Sequence, residues 1–278
     1  MTNANQLLSL PAHELLARFQ RDGFILVEGL FDSEEIDLLK KIGRADHRLQ
    51  QEAMGRRDGE GGVVRLTVRN ELENNIYGAF VRCRRIVDTM ERLLEGEVYH
   101  YHHKMILKEP KVGGAWEWHQ DYGYWYDNGC LFPYMASCMI AVDRATPANG
   151  CLQVLKGSHL MGRIDHGKVG DQTGADPERV AAALERLERV DCVLDPGSAI
   201  FFHSNLLHRS DQNRSEHPRW ALICCYNAAR NDPYKESKHP RYHQLEKWED
   251  SRIKEIGRVQ WAETQRVLNE SSRVVHSA

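Results

Sequence analysis

The chain has 278 residues, a formal net charge of −3 from 37 Lys and Arg against 40 Asp and Glu, and 41% hydrophobic residues. That length supports one large core or two small ones, and the composition excludes wholesale disorder. No apolar run reaches the ~18 residues of a membrane span, no secretory signal pattern opens the chain, and the slight acidity argues against a nucleic-acid surface.

Residues 11–22 place Leu15, Leu16 and Phe19 at helical spacing, and Gly23 interrupts the pattern. Residues 24–28 predict a short strand. Asp32 and Ser33, followed by acids, predict a helix start. The polar, Gly- and Arg-rich stretch from Met54 to Asn75 is expected to be a surface loop. Residues 79–94 predict another helix, with Gly96 as its stop. Beyond Gly96 the character changes. Residues 98–109 alternate, and 137–142, 150–155, 192–195, 198–203 and 219–226 are short apolar runs between turn residues. A helical insertion is expected at 177–190 with Asp176 as its cap, and a further helix within 251–268. The fold class is α+β: mainly helical support over 1–96, a sandwich or jelly-roll core over 97–230, and a tail over 231–278. No Pro/Ser-rich linker divides these parts, so one domain is expected. The seven Cys are odd in number and irregularly spaced, and are read as reduced thiols in the cytoplasm.

The chemistry concentrates in two segments. His119 and Asp121 are two residues apart, so on a strand they share a face while Gln120 points away. His208 closes a later apolar run. Two His and one carboxylate, with coordination positions left open, suit non-haem Fe(II) and oxygen. A hydrogen-bonded His–Asp pair on a solvent-facing strand is the bland alternative, because 14 His and 40 acids produce such pairs by chance. The second half of the pattern weighs against it. Arg219 lies eleven residues after His208 at the start of the next apolar run, expected on an adjacent strand facing the same interior, and Ser210 shares the side of His208. Zinc hydrolysis is the rival chemistry, but there is no HExxH helix, and such an enzyme has no evident use for the Arg.

The opening FQRDGFILVEGLFDSEEID, the middle WHQDYGYWYDNG and ATPANGCLQVLKGSH, and the closing GSAIFFHSNLLHRSDQNRSEHPRWAL together resemble the phytanoyl-CoA dioxygenase family of Fe(II)/2-oxoglutarate oxygenases, in the bacterial branch that includes ectoine hydroxylase. The resemblance runs from about Phe19 to Tyr226. It implies a double-stranded β-helix, the jelly roll of cupins. It implies His119, Asp121 and His208 as iron ligands, and Arg219 helped by Ser210 as the clamp on the far carboxylate of 2-oxoglutarate. It also implies O2 as co-substrate, decarboxylation to succinate and CO2, and hydroxylation of an unactivated C–H bond of a small molecule. Related halogenases carry Gly or Ala where this chain has Asp121, so hydroxylation is expected. Where ectoine hydroxylase has glutamine, arginine and asparagine on the strand before the motif, this chain has His102, Lys104 and Ile106, so neither ectoine nor a bulky CoA thioester is implied as substrate.

Further candidates follow. Trp116 and Lys104 are expected beside the co-substrate, and Trp125, Tyr122 and His102 beside the substrate. Tyr122, Tyr124, Trp125 and Tyr126 form either an aromatic wall or packing under a lid loop. His102 and Lys104 share one strand face, which points either inward or to solvent. His203 is a rival third ligand, but its spacing to Arg219 suits a structural His. Asn149 and Gly150 predict a turn, and Gly157 to His159 a scaffold loop. Substrate choice is expected in loops 54–75, 122–134 and 160–176. The competing class is a non-catalytic jelly roll that senses metal or 2-oxoglutarate.

Overall fold

The computed structural model describes residues 2–169 and 171–276, with side chains through Glu270. Strand β1 (Thr2–Asn3) and helix α1 (Ala4–Ser9) precede α2 (Ala12–Asp22), which buries Leu15 and Phe19 as its spacing predicts. Gly23 ends α2 at φ 82°, and a Cβ there would lie 2.5 Å from the His159 ring. β2 (Phe24–Glu28) follows. α3 (Ser33–Ala45) begins in a capping box: Asp32 accepts from the Glu35 N–H, and the Glu35 carboxylate accepts from the Asp32 N–H.

After α4 (His47–Glu52), the expected surface loop is instead the hairpin β3 (Met54–Arg57) and β4 (Val63–Arg69). Val64 and Leu66 are buried, and β4 pairs with the next long strand. Gly and Arg around them mask this alternation in the sequence. The expected helix over 79–94 is two: α5 (Ile76–Arg82) and α6 (Arg84–Leu93). Cys83 is extended between them because it bridges to Trp248, whose backbone bonds Arg82 and Arg84 on either side.

The β-rich part comprises β5 (Val98–Lys108), β6 (Trp116–His119), the short helix α7 (Tyr122–Trp125), β7 (Met135–Ala141), β8 (Leu152–Leu155) and the hairpin β9 (His166–Val169) and β10 (Gln172–Ala175). It continues with α8 (Pro177–Leu184), β11 (Arg189–Cys192), β12 (Ala199–His203), β13 (His208–Ser210) and β14 (Arg219–Ala228), and α9 (Ser251–His276) closes the described chain. Asp176 caps α8 as expected, but the helix stops at Leu184, residues 185–188 turn, and the last two residues of the predicted insertion begin β11 on β8.

One sheet has the order β1-β2-β12-β7-β14-β5-β4-β3, and a second has β11-β8-β13-β6. They face each other as a double-stranded β-helix, and β7 shows why its sequence is apolar throughout. Ala136, Cys138 and Ile140 pack on the helical layer of α2, α3, α5 and α6, whereas Met139 and Ala141 pack on Leu152 and Val154 of the smaller sheet. All seven Cys are free and buried in these layers. Among the described residues, no helix is long and apolar enough to cross a membrane.

Candidate active site

β6 and β13 are antiparallel neighbours with His208 opposite His119, their ring centroids 4.0 Å apart. Asp121 joins them by a different route from the strand pairing expected. β6 ends at His119, and Asp121 has helical dihedrals (φ −57°, ψ −38°) as the residue that opens α7. Gln120 pins this corner: its amide donates to the carbonyls of Gly162 and Asn205 and its oxygen accepts from the Ile164 N–H. One ligand atom each from His119, Asp121 and His208 lies within 4.8 Å of the other two, all three buried.

The imidazoles are set to present Nε2. Nδ1 of His119 lies 2.7 Å from the Glu117 carbonyl, and Nδ1 of His208 lies 2.8 Å from the Leu206 carbonyl. A carbonyl only accepts, so each Nδ1 carries the proton and each Nε2 keeps its lone pair for the cavity. Burial, with His208 nearby, pushes His119 well below the usual imidazole range, and burial lowers His208 too. Both are therefore neutral, the form that binds metal. The Asp121 carboxylate accepts from the Ser137 hydroxyl at 3.3 Å and faces Lys104 Nζ at 3.5 Å.

Arg219 faces the same interior as His208, but not from an adjacent strand. β13 belongs to the smaller sheet, while β14 lies between β7 and β5 in the larger one. The polar stretch 211–218 crosses between sheets and does not form a hairpin. Arg219 is 3% exposed; its Nη2 donates to the Gly150 carbonyl at 2.8 Å and its Nε has no partner. Burial pulls its pKa down to about 10. Directly opposite in the β14–β5 register is Lys108, fully buried, whose Nζ donates to Ser210 Oγ at 2.9 Å and to the Asp211 carbonyl. Burial, then repulsion from Arg219, pushes its pKa well below the usual lysine range. Among the described residues neither basic group has a carboxylate partner. Lys108 is not among the sequence candidates, although it shares the strand parity of His102 and Lys104.

His119, Asp121, His208, Lys104, Ser210 and Arg219 line a cavity of about 80 Å³, with Met139, Leu152, Phe202 and Ile223 as its apolar wall, and Lys108 reaches it only through Ser210. Leu66, Lys104, Trp116 and Tyr124 also line an adjoining vestibule of about 600 Å³. Its walls come from all three expected substrate loops, and also from Lys238 and His239 in the tail, which no sequence signal marked. Trp116 lines both spaces with its indole N–H unpartnered, and Trp125 and His102 line the vestibule. Tyr122 lines neither. Its hydroxyl donates to the Cys130 carbonyl and its ring packs with Tyr99, Tyr101 and Met135, so Tyr124 takes the position expected of it. His203 packs against Phe19 and His159, away from the three clustered groups, and accepts from the Asn205 N–H.

A profile of the phytanoyl-CoA dioxygenase (PhyH) family matches residues 19–221. The chain belongs to that family. It is 27% identical over 242 residues to L-proline trans-4-hydroxylase of Streptomyces griseoviridis, covering 81% of this chain and 90% of that one. It is 24% identical over 235 residues to an ectoine dioxygenase of Stutzerimonas stutzeri, covering 79% and 78%. Among solved structures, EctD from S. alaskensis with 2-oxoglutarate and 5-hydroxyectoine superposes with a TM-score of 0.73 at 24% identity, covering 86% of this chain and 88% of that one. The PhyH protein described here is an Fe(II)- and 2-oxoglutarate-dependent dioxygenase of the hydroxylase type, with O2 as co-substrate. Its residues fit those groups. Two neutral imidazoles and a carboxylate suit Fe(II) with positions to spare, and the buried Arg219, with its Nε unpartnered, suits a carboxylate of the co-substrate.

Proposed function

We propose that Nε2 of His119, Nε2 of His208 and a carboxylate oxygen of Asp121 hold the iron. Arg219 and Ser210 seat the far carboxylate of 2-oxoglutarate, with Lys104 and Trp116 at its side. Trp125 and His102 meet a small-molecule substrate that enters through the vestibule. We further propose that the chain works as one catalytic domain in the cytoplasm, in keeping with its seven free, buried thiols.

When bound, the iron and 2-oxoglutarate turn dioxygen into an oxidant that converts a C–H bond to an alcohol as 2-oxoglutarate leaves as succinate and CO2. The protein supplies position and surroundings. The two Nδ1–H bonds to backbone carbonyls fix the imidazole planes, and Ser137 limits rotation of Asp121. Arg219 offers a planar fork that matches a carboxylate better than an ammonium would. The apolar wall excludes water from the reacting centre. With Lys108 held toward its neutral form, the iron, Asp121, the dianion and Arg219 offset one another in charge and Lys104 adds a positive charge beside Asp121, so that opposite charges are buried together and not singly.

The observation that carries this reading is the convergence of the three ligand atoms in the same cavity as a buried guanidinium whose Nε has no partner. Anaerobic addition of Fe(II) and 2-oxoglutarate should give a weak visible charge-transfer band, and admitting oxygen should release succinate. Asp121→Ala should abolish hydroxylation, and Arg219→Ala should raise the 2-oxoglutarate requirement far more than that for substrate. A band that never leads to succinate would favour a sensor, and equal effects of Arg219→Ala on both requirements would remove the clamp assignment.

A further inference from the structure

His102 is the buried polar group least accounted for by the site as described. It is 2% exposed, and neither ring nitrogen has a hydrogen-bond partner. Buried polar groups are almost always satisfied, so an orphaned imidazole lining a cavity points to a ligand that completes it. Its surroundings are rigid: Trp125 lies edge-on at 5.5 Å, and the rings of Tyr101 and His239 lie at 5.2 and 5.0 Å.

The vestibule that His102 lines is also unbalanced in charge. Arg56, Lys104 and Lys238 line it against a single carboxylate, Asp171. Among the described residues, Arg56 and Lys238 form no ion pair. Lys104 has Asp121 as its one carboxylate partner among these residues, at 3.5 Å. The tail is built into this wall. Asn70 donates to the Lys238 carbonyl at 2.6 Å and accepts from His239 Nδ1 at 3.1 Å, and His239 stacks on Tyr101 at 4.8 Å. Met54, Leu66 and Val68 supply an apolar side suited to an aliphatic body.

We propose that the vestibule selects a small aliphatic substrate carrying a carboxylate, with His102 and Lys104 receiving that group and Arg56 and Lys238 drawing it in from solvent. Unpaired charge of one sign around a concave opening concentrates ligands of the opposite sign. An imidazole and one ammonium offer few donors, which suits a carboxylate better than a phosphonate. The chemistry on the substrate rests on the oxygenase reading above, whereas the binding preference does not.

The test separates the two. Trp116 and Trp125 line the vestibule, so tryptophan fluorescence of the metal-free protein reports binding there. The probes are a panel of small aliphatic and amino acids, L-proline and L-leucine among them, each beside its primary amide, with aliphatic phosphonates of matching length. At least one acid should quench the fluorescence, and its amide should bind at least about tenfold more weakly. Lys238→Glu, at an exposed position, should weaken the acid about tenfold and leave the amide unchanged. His102→Phe should erase the preference for acid over amide. Equal binding of acid and amide, tighter binding of a phosphonate, or no quenching by any acid would overturn the proposal. Succinate release by the iron-loaded protein, followed separately, reports on the oxygenase reading alone.

Discussion

Lys108 shows how much one side chain depends on what faces it. A lysine at the end of a β strand is ordinarily solvated, yet here it is fully buried, opposite Arg219 and bonded to Ser210. Lys108→Met should therefore weaken 2-oxoglutarate binding about tenfold, through loss of the Ser210 tether, while metal affinity stays unchanged. Anaerobic calorimetry with each ligand in turn measures both. His100 and His103, hydrogen-bonded at 3.1 Å on β5, make the second case. Burial, then the cations Arg69 and Arg82, pushes His103 down to about 4, and burial pushes His100 well below its usual value. As pH falls below about 6.5, the unfolded chain takes up protons that the fold refuses. Stability is therefore full above that pH and declines on the way to about 4, where His103 protonates in the folded state. Urea midpoints at pH 7 and pH 5 should show this loss, and His103→Gln should reduce it. An unchanged pH dependence in that variant would remove His103 from the account.

Elements matter here through their ends and corners. The turn at Asn149 and Gly150 was legible as a Gly-requiring turn, and Gly150 does adopt φ 73°. Its purpose was not legible: its carbonyl receives Arg219, and a Cβ on it would lie 2.1 Å from the Asp211 carbonyl oxygen and 3.0 Å from Lys108 Nζ. Gly150→Ala should therefore cost both stability, by about 1–3 kcal/mol, and 2-oxoglutarate affinity. Thermal unfolding and a 2-oxoglutarate titration check the two effects, and a loss of stability alone would detach the turn from the site. The His119–Asp121 pair teaches a similar lesson. Spacing brought the two side chains together on paper as strand neighbours, but the chain turns into α7 between them. The two side chains do converge, but not as strand neighbours, because a strand end and a helix start can present i and i+2 to one point as well as a continuous strand can.

At the scale of the whole molecule, the site lies between two sheets, and its parts come from distant segments: β5, the β6–α7 corner, β13, β14 and the tail at 238–239. A ligand bridging them should hold the sheets together. Fe(II) with 2-oxoglutarate under anaerobic conditions, each at about a hundred times its dissociation constant, should stabilise the fold by about 2.7 kcal/mol per ligand and raise Tm by several degrees. A chelator should reverse the shift, and no shift would mean that the site does not bind the pair in the folded protein.

Local pattern was enough to determine most elements and the α+β class, and to single out His119, Asp121, His208, Ser210 and Arg219 as candidates, because hydrophobic period, caps and motif spacing are properties of neighbouring residues. Only the tertiary structure decided that 54–69 is a hairpin and not a loop, that Ser210 and Arg219 line one cavity from opposite sheets, that Tyr124 and not Tyr122 lines that cavity, and that Lys108 bonds Ser210 while the tail walls the vestibule. The physical reason is common to all four. Each depends on which distant segment covers a residue, and burial by a distant segment leaves no mark in the local sequence.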